Sequence, residues 1–332
     1  HEGDVAAGAR AQADYLKKFL ADSIVRDFEH LRLTEFGGRK WVTMGQSYGG
    51  FLTLTTLSLF PAGVIASFTT GGIPHVPACA TEVYEHTFPR VIRKTAQFYE
   101  RYPQDKERVA AIVEKLPTAA EVSEFVGKLT DSVLNPMAGT EVEHRLGVIA
   151  GMAAHGFPIM PNGDPLTVER LQCLGSDFGK KPSFERVHWI LDSAFLDGDG
   201  SVSAASPLSD EFLTKVMNAT SSRPLYWPLQ EFIYANGEMD QPIRWAAQRV
   251  RDGKSEFGAD VRPLNFTGEA MFPWMFEQEA ALRPFKPAMD LLMEDTSFGV
   301  IYDEDQLARN EVPLQAGVYF DDMYVEIGRA HV

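Results

Sequence analysis

The stretch that decides the fold runs from Lys40 to Pro61 and reads KWVTMGQSYGGFLTLTTLSLFP. Its first residues, KWVTM, form a short apolar run that is typical of a buried strand. The glycine-rich turn GQSYGG follows at once. The apolar stretch from Phe51 to Leu59 then predicts a helix, which Pro61 ends. The sequence therefore predicts a strand, a tight turn and a helix in immediate succession.

The neighbouring segments extend this alternation. Before the stretch, helical periodicity covers residues 11–20 and 22–36, and Gly37-Gly38 closes the second helix. After it, residues 64–70 (VIASFTT) have the character of another strand, which Gly71-Gly72 ends. Helices and strands that alternate with tight turns predict an α/β fold with a parallel sheet.

Beyond Glu82 the sequence changes to long amphipathic segments with few strand signals. Helical periodicity covers residues 82–102, 105–116, 141–154, 184–196, 208–219, 228–235 and 244–251. Residues 312–320 (VPLQAGVYF) then return to strand character. We therefore predict part of an α/β core over 1–80, a helical cap domain over 81–300, a return to the core over 301–326, and a non-native tail over 327–332.

The composition disfavours several classes of protein. The 332 residues are 45% hydrophobic, which is enough for a large core and an accessory domain. The formal net charge of -15 disfavours nucleic acid as a partner, because phosphates would be repelled. No apolar run approaches the roughly 18 residues of a membrane span. We therefore expect a cytoplasmic protein with no membrane partner. No nucleotide-binding or metal-binding motif occurs, so no cofactor is expected, and the oligomeric state stays open.

The turn contains the pattern G-x-S-x-G, with Ser47 at its centre. In this pattern the serine occupies a sharp, strained turn, and side chains two residues away on either side would collide. Such a turn exposes the hydroxyl group and places the backbone N–H of Tyr48 at a helix N-terminus, where an oxyanion would form. We predict Ser47 as a nucleophile and Tyr48 as an oxyanion donor; a purely structural glycine turn is the alternative.

A serine nucleophile needs a general base and an acid that orients the base. Where the serine lies on such a turn, the chain order is serine, acid, histidine. Asp322 follows the predicted strand 312–320 and is the candidate acid, with Asp321 beside it. The alternative for both is a polar turn at the end of a strand.

The general base is not evident in the sequence. Histidines occur at positions 1, 30, 75, 86, 144, 155, 188 and 331. Only His331 follows Asp322. It lies in EIGRAHV (326–332), the translation of a common sequencing-adapter read, so we exclude His331 as the base.

Several segments together resemble the prolyl aminopeptidases, or proline iminopeptidases, which are serine peptidases of the α/β-hydrolase fold. They include ADYLKKFLADSIVRDFEHLR (13–32), WVTMGQSYGGFLTLTTLSLFP (41–61), TTGGIP (69–74), EFIYANG (231–237), RWAAQRVR (244–251), GEAMFPWMF (268–276) and YDEDQLARNEVPLQAGVYFDDMYV (302–325). The resemblance covers nearly all of the chain. It implies a parallel sheet that carries the catalytic triad, a helical cap, and release of an N-terminal residue, preferentially proline, from a peptide substrate. Ser47 matches the family nucleophile and Asp322 the family acid.

The resemblance also implies carboxylates that hold the cationic N-terminus of the peptide. Glu231, in the sequence EFIY, matches a family glutamate, and Glu269 is a second candidate. A helix-surface glutamate is the alternative for Glu231. The aromatic residues Phe272, Trp274 and Phe276 would either line a pocket for the proline ring or belong to the core.

The chain departs from the family pattern in two respects. It lacks the N-terminal strands with the HGGPG-type segment that supplies a second oxyanion donor, and it stops before the segment that carries the histidine. We therefore expect a chain truncated at both ends and inactive on its own. Two alternatives stay open: an esterase or amidase of the same fold, and a non-catalytic ligand-binding homologue. Glu231 separates the esterase from the peptidase, because an ester gives no reason to hold an ammonium group.

Overall fold

The computed structural model describes residues 2–77, 79–131, 140–181, 183–195, 206–221 and 223–325. The chain forms two compact units whose segments alternate along the sequence. Unit 1 comprises the described parts of residues 1–90, 225–250 and 287–332, and unit 2 those of 91–224 and 251–286. Within the predicted cap range of 81–300, residues 225–250 and 287–300 thus cluster with the segment that carries Ser47.

A parallel sheet of three strands lies in unit 1. Its strands are β1 (Trp41–Gln46), β2 (Val64–Thr70) and β3 (Leu314–Gly317), in the order β1-β2-β3. Met44 pairs with Phe68, and Phe68 pairs with Gln315. The predicted parallel sheet is confirmed, and β2 has the predicted bounds. β3 is shorter than predicted, because the chain turns after it and the N–H of Asp322 donates to the carbonyl of Tyr319 at 3.2 Å.

Helices cover one face of this sheet. Unit 1 contains α1 (Glu2–Lys17), α2 (Ala21–Thr34), α3 (Tyr48–Leu59) and α14 (Glu304–Ala308). Helix α3 contacts β1 and β2, and buries Leu54 and Leu57 against Val64. On the other face, Val42 and Met44 are 68% and 78% exposed in the described chain. One face therefore supplies the core that supports the turn after β1.

Unit 2 is built from helices and irregular segments. Its helices are α5 (Asp105–Val113), α6 (Ala119–Leu129), α7 (Glu141–His155), α8 (Val168–Gln172), α9 (Phe184–Asp192), α10 (Asp210–Thr220) and α12 (Met275–Gln278). Helices α4 (Ala80–Arg101), α11 (Ala246–Asp252) and α13 (Lys286–Leu292) each run from one unit into the other. The buried rings of Phe98, Phe178 and Phe266 form part of its core, with centroids 5.2 to 5.9 Å apart.

Two predicted helices differ from the observed structure. Residues 228–235 form short 3-10 turns (Trp227–Leu229 and Phe232–Tyr234) rather than an α-helix. The helix predicted over 244–251 begins at Ala246, because Arg244 and Trp245 adopt φ angles of 50° and 56°. Within the described ranges, no helix is both long and apolar enough to cross a membrane.

Candidate active site

Ser47 occupies a strained position between β1 and α3. Its φ of 54° and ψ of -122° place it in a region that side-chain-bearing residues rarely adopt, and it is exposed. A residue held in this way costs about 1–3 kcal/mol, and such strain is concentrated at functional sites. The N–H of Ser47 donates to the carbonyl of Thr70 at 3.0 Å, which fixes the turn to the end of β2.

Glycines allow this turn to form, although not all those that the motif predicts. A Cβ atom on Gly45 would overlap the carbonyl oxygen of Gly49. A Cβ on Gly50 would overlap both the carbonyl oxygen of Gly72 and the hydroxyl of Thr69. A Cβ on Gly49 would meet nothing within 4 Å outside its own helix. The expectation that the second flanking residue of G-x-S-x-G must be small is therefore wrong for Gly49 and applies to Gly50 instead.

Asp322 lies in a turn beyond β3, and its carboxylate is fixed by backbone groups. Its Oδ1 accepts from the N–H groups of Tyr324 and Val325 at 2.8 and 3.0 Å. Its Oδ2 faces Gly71, at 3.5 Å from the place where a Cβ of that glycine would lie. Asp322 is half-buried, whereas Asp321 is exposed. The structure thus distinguishes the two adjacent acids and leaves Oδ2 of Asp322 on the side of β2.

Gly71 and Gly72 connect the Ser47 turn with the Asp322 turn. The N–H of Gly71 donates to the carbonyl of Gly317 at 2.8 Å, at the end of β3. A Cβ on Gly72 would overlap the carbonyl oxygen of Ser47. The carboxyl ends of three parallel strands therefore meet around a glycine pair. The sequence analysis took this pair only as the end of a strand, although two adjacent glycines at a strand end are a signal for close backbone approach.

Tyr48 is the first residue of α3, so its N–H has no acceptor within that helix. The amide is thus available as the predicted oxyanion donor beside Ser47. Its side chain extends into unit 1, where burial raises the pKa of the phenol well above its usual value. The Tyr48 ring lies 5.8 Å from the Phe51 ring, which in turn lies 5.7 Å from the ring of Tyr234.

Glu231 precedes Tyr234, whose ring contacts the Phe51 ring of α3. The Glu231 side chain is fully buried. Its Oε2 and Oε1 accept from the N–H groups of Ala246 and Ala247 at 3.0 and 2.8 Å, at the start of α11. Burial raises the pKa of Glu231 to about 7, although the two amides and Arg249 act in the opposite direction. Glu231 is thus not a helix-surface glutamate. Sequence reasoning missed its contact with α11, because the partners lie far along the chain.

The strained residues Arg244 and Trp245 lie directly before α11. Hydrogen bonds hold the backbone on both sides of this pair. Glu231 holds the first amides of the helix, and the Arg249 guanidinium donates to the carbonyls of Ile243 and Arg244. The same guanidinium donates to the hydroxyl of Thr81 at 2.9 Å. These contacts maintain two consecutive positive φ angles that carry about 1–3 kcal/mol of strain each.

Glu269 belongs to unit 2 and is half-buried. The aromatic side chains near it in sequence are buried in that unit, with Phe272 1% and Phe276 0% exposed. This burial agrees with the interpretation that the rings belong to the core rather than to a pocket for the proline ring.

Three of the described histidines lie beside groups other than the Asp322 carboxylate. His188 Nδ1 lies 2.8 Å from Asp105 Oδ2, and the His75 ring lies 5.9 Å from that of His86. His75 Nδ1 is 3.3 Å from Glu82, but no hydrogen bond forms in this geometry. His331 lies outside the described residues. Among the described residues, no group of three or more histidine, cysteine or acidic side chains could hold a metal ion.

Two curated relatives match the chain. It is 38% identical over 323 residues to a proline iminopeptidase of Aeromonas sobria, an alignment that covers 96% of this chain and 64% of the relative. It is 29% identical over 323 residues to the proline iminopeptidase aneH of Aspergillus aculeatus, covering 95% of this chain and 62% of the relative. No protein-family model matches the chain.

The chain is therefore similar to the proline iminopeptidases over nearly its whole length. The resemblance stated from the sequence segments is thereby confirmed. The chain spans less than two thirds of the length of these proline iminopeptidases. The mixed α/β architecture with a parallel sheet is compatible with the α/β-hydrolase fold expected of the family.

The glycine contacts predict different effects for two neighbouring substitutions. Gly50→Ala should lower the free energy of unfolding by at least about 2 kcal/mol, because its methyl group would overlap backbone atoms of Gly72. Gly49→Ala should be neutral or stabilising by up to about 1 kcal/mol, as for glycine replaced by alanine in an open helical position. Urea unfolding of both variants measures the difference. Equal urea midpoints for the two variants would show that Gly50 does not approach Gly72 as closely as described.

Proposed function

We propose that the full-length protein is a serine exopeptidase that releases N-terminal residues, preferentially proline, from peptides. The observation that carries the proposal is the strained φ of 54° at Ser47, at the edge of the sheet where the Asp322 turn also lies. Similarity to the two proline iminopeptidases supports the same activity.

In the proposed mechanism, the Ser47 hydroxyl attacks the carbonyl carbon of the first peptide bond while a histidine base takes its proton. The N–H of Tyr48 donates to the developing oxyanion. The C–N bond then breaks, and the protonated base gives its proton to the departing amine. Water hydrolyses the resulting ester, which frees the N-terminal residue and restores Ser47. Asp322 orients the base and stabilises its positive charge, with Oδ2 as the available oxygen.

Glu231 is proposed to bind the amine of the substrate. A carboxylate has about four acceptor sites, and the amides of Ala246 and Ala247 occupy two of them. An ammonium group that reached the remaining sites would meet a desolvated carboxylate, where a charged hydrogen bond is strong. Glu269 is proposed as a second carboxylate for the amine, on the family resemblance alone.

A second candidate is an esterase or amidase that does not recognise an amine. The full burial of Glu231 and its two bonds to α11 favour this alternative, because both are also expected of a carboxylate that only stabilises the fold. The substrate preference of a Glu231 variant therefore separates the two functions.

Replacement of Ser47 tests the nucleophile. Ser47→Ala should lower the kcat for hydrolysis of a proline arylamide by about 10⁴ to 10⁶, because the acyl-enzyme can no longer form. Ser255→Ala, at an exposed position of unit 2, is the control and should leave kcat unchanged. If Ser47→Ala retained more than a tenth of the wild-type kcat, Ser47 would be excluded as the nucleophile.

Replacement of Glu231 tests amine recognition. Glu231→Gln should raise KM for a proline arylamide by at least about 30-fold, since loss of one partner of a desolvated charge pair costs on the order of 2–5 kcal/mol. KM for an acyl ester without an amine should change little. The pKa of about 7 predicts that the wild-type KM for the arylamide falls as pH rises through 7, because the carboxyl group becomes ionised.

This pH dependence should disappear in Glu231→Gln. Glu238→Gln, in the same segment, is the matched control; Glu238 accepts from the hydroxyl of Ser297, which a glutamine can also do. An equal rise of KM for the arylamide and the ester would assign Glu231 to the fold and favour the esterase.

A further inference from the structure

Arg90 contacts the backbone of the candidate acid from a distant part of the sequence. Its Nη1 donates to the carbonyl oxygen of Asp322 at 2.6 Å, across 232 positions of the chain. Arg90 lies on α4 and is half-buried, and both residues belong to unit 1. A hydrogen bond from a guanidinium to a carbonyl is charge-assisted and stronger than one between neutral groups.

The two sides of the acid turn differ in burial. On its C-terminal side, Met323 and Val325 are buried at 1% and 7% exposure. On its N-terminal side, Phe320 is 95% exposed, and the Tyr319 ring rests against Gly71. Asp322 itself lies between the anchored side and the exposed side. The Arg90 bond therefore fixes the peptide unit from which the carboxylate of Asp322 projects.

The orientation of this peptide unit determines where the carboxylate points. Oδ1 accepts from Tyr324 and Val325, so a rotation of the Asp322 backbone would break these bonds or carry Oδ2 away from Gly71. In catalysis, an error of about 1 Å in the position of a group can lower the rate by about 10². A contact that prevents such a rotation therefore affects the reaction without touching the substrate.

We propose that Arg90 is a positioning residue, which holds the Asp322 turn so that Oδ2 stays on the side of the nucleophile. The proposal rests on the proposed role of Asp322 as the acid of a serine peptidase. The planar guanidinium, which has five donors in a fixed arrangement, suits this task better than the flexible ammonium group of lysine. Sequence reasoning gave no signal for Arg90, because its partner is a backbone carbonyl.

The first experiment measures the turn itself and does not depend on activity. In Arg90→Met, hydrogen exchange of the Tyr324 and Val325 amides should be at least about tenfold faster than in the wild type, because the turn opens more often. Arg93→Met is the matched control, since Arg93 is an exposed arginine on the same helix. Unchanged exchange in the segment 319–325 of Arg90→Met would overturn the proposal.

The second experiment measures catalysis on a proline arylamide. Arg90→Met should lower kcat by about 10- to 100-fold with KM within about threefold of the wild type, because a positioning residue acts through Asp322 and not on substrate binding. Arg90→Lys should recover part of the loss, since lysine retains a donor. A wild-type kcat, or a rise in KM alone, would overturn the proposal. If Arg90→Met fails to fold, Arg90→Lys and Arg90→Gln are measured in its place. Hydrogen exchange and kcat at the wild-type values in both variants would overturn the proposal.

The two experiments separate this inference from the proposed function. If Ser47→Ala remained active, the proposed function would be wrong, but hydrogen exchange would still decide whether Arg90 holds the turn. If exchange rose in Arg90→Met while kcat stayed at the wild-type value, Arg90 would anchor the turn without positioning the acid, which contradicts the inference.

Discussion

The close approach of the Ser47 turn to the glycine pair after β2 is the constraint on which the rest of the site depends. Backbone atoms of Ser47 and Gly50 lie so near Gly72 that a Cβ on either Gly50 or Gly72 would overlap a carbonyl oxygen of the other segment. The approach ties Ser47 to the end of β2, through its N–H bond to Thr70, and supports the unfavourable φ of 54°. Gly71 faces the Asp322 carboxylate, so the same glycine pair, at the end of β2, lies between Ser47 and Asp322.

Electrostatics around Glu231 follow from the competition between desolvation and hydrogen bonding. Full burial favours the neutral carboxyl group, whereas the amides of Ala246 and Ala247 favour the charged form, and desolvation is the larger effect. The result is an acid that is ionised only above a pH of about 7. Its carboxyl group accepts from the first amides of α11, directly after the two strained residues Arg244 and Trp245. Structural support and amine binding require the same charged form, so the two roles are compatible within one carboxylate.

Local sequence patterns predicted the elements that local forces determine. The run 40–61 predicted the strand, turn and helix around Ser47, and 64–70 predicted β2, because apolar runs and glycines report directly on burial and chain reversal. Contacts between distant segments left no such signal. The α11 contact of Glu231, the Arg90 bond to Asp322 and the crowding of Gly50 against Gly72 all join residues that only the tertiary structure brings together. The positive φ angles of Arg244 and Trp245 were also not predicted, because tertiary contacts maintain them and no glycine marks the position.

The most direct measurement is covalent labelling of the full-length protein with an alkyl fluorophosphonate, followed by mass spectrometry of the labelled peptide. A strained serine served by an oriented base should be phosphonylated at Ser47. Asp322→Asn should slow the labelling by at least about 10³-fold, whereas Asp321→Asn, at the exposed neighbouring acid, should leave the rate near that of the wild type. Label on a different residue, or equal rates for the two asparagine variants, would contradict the pairing of Ser47 with Asp322 across the carboxyl edge of the sheet.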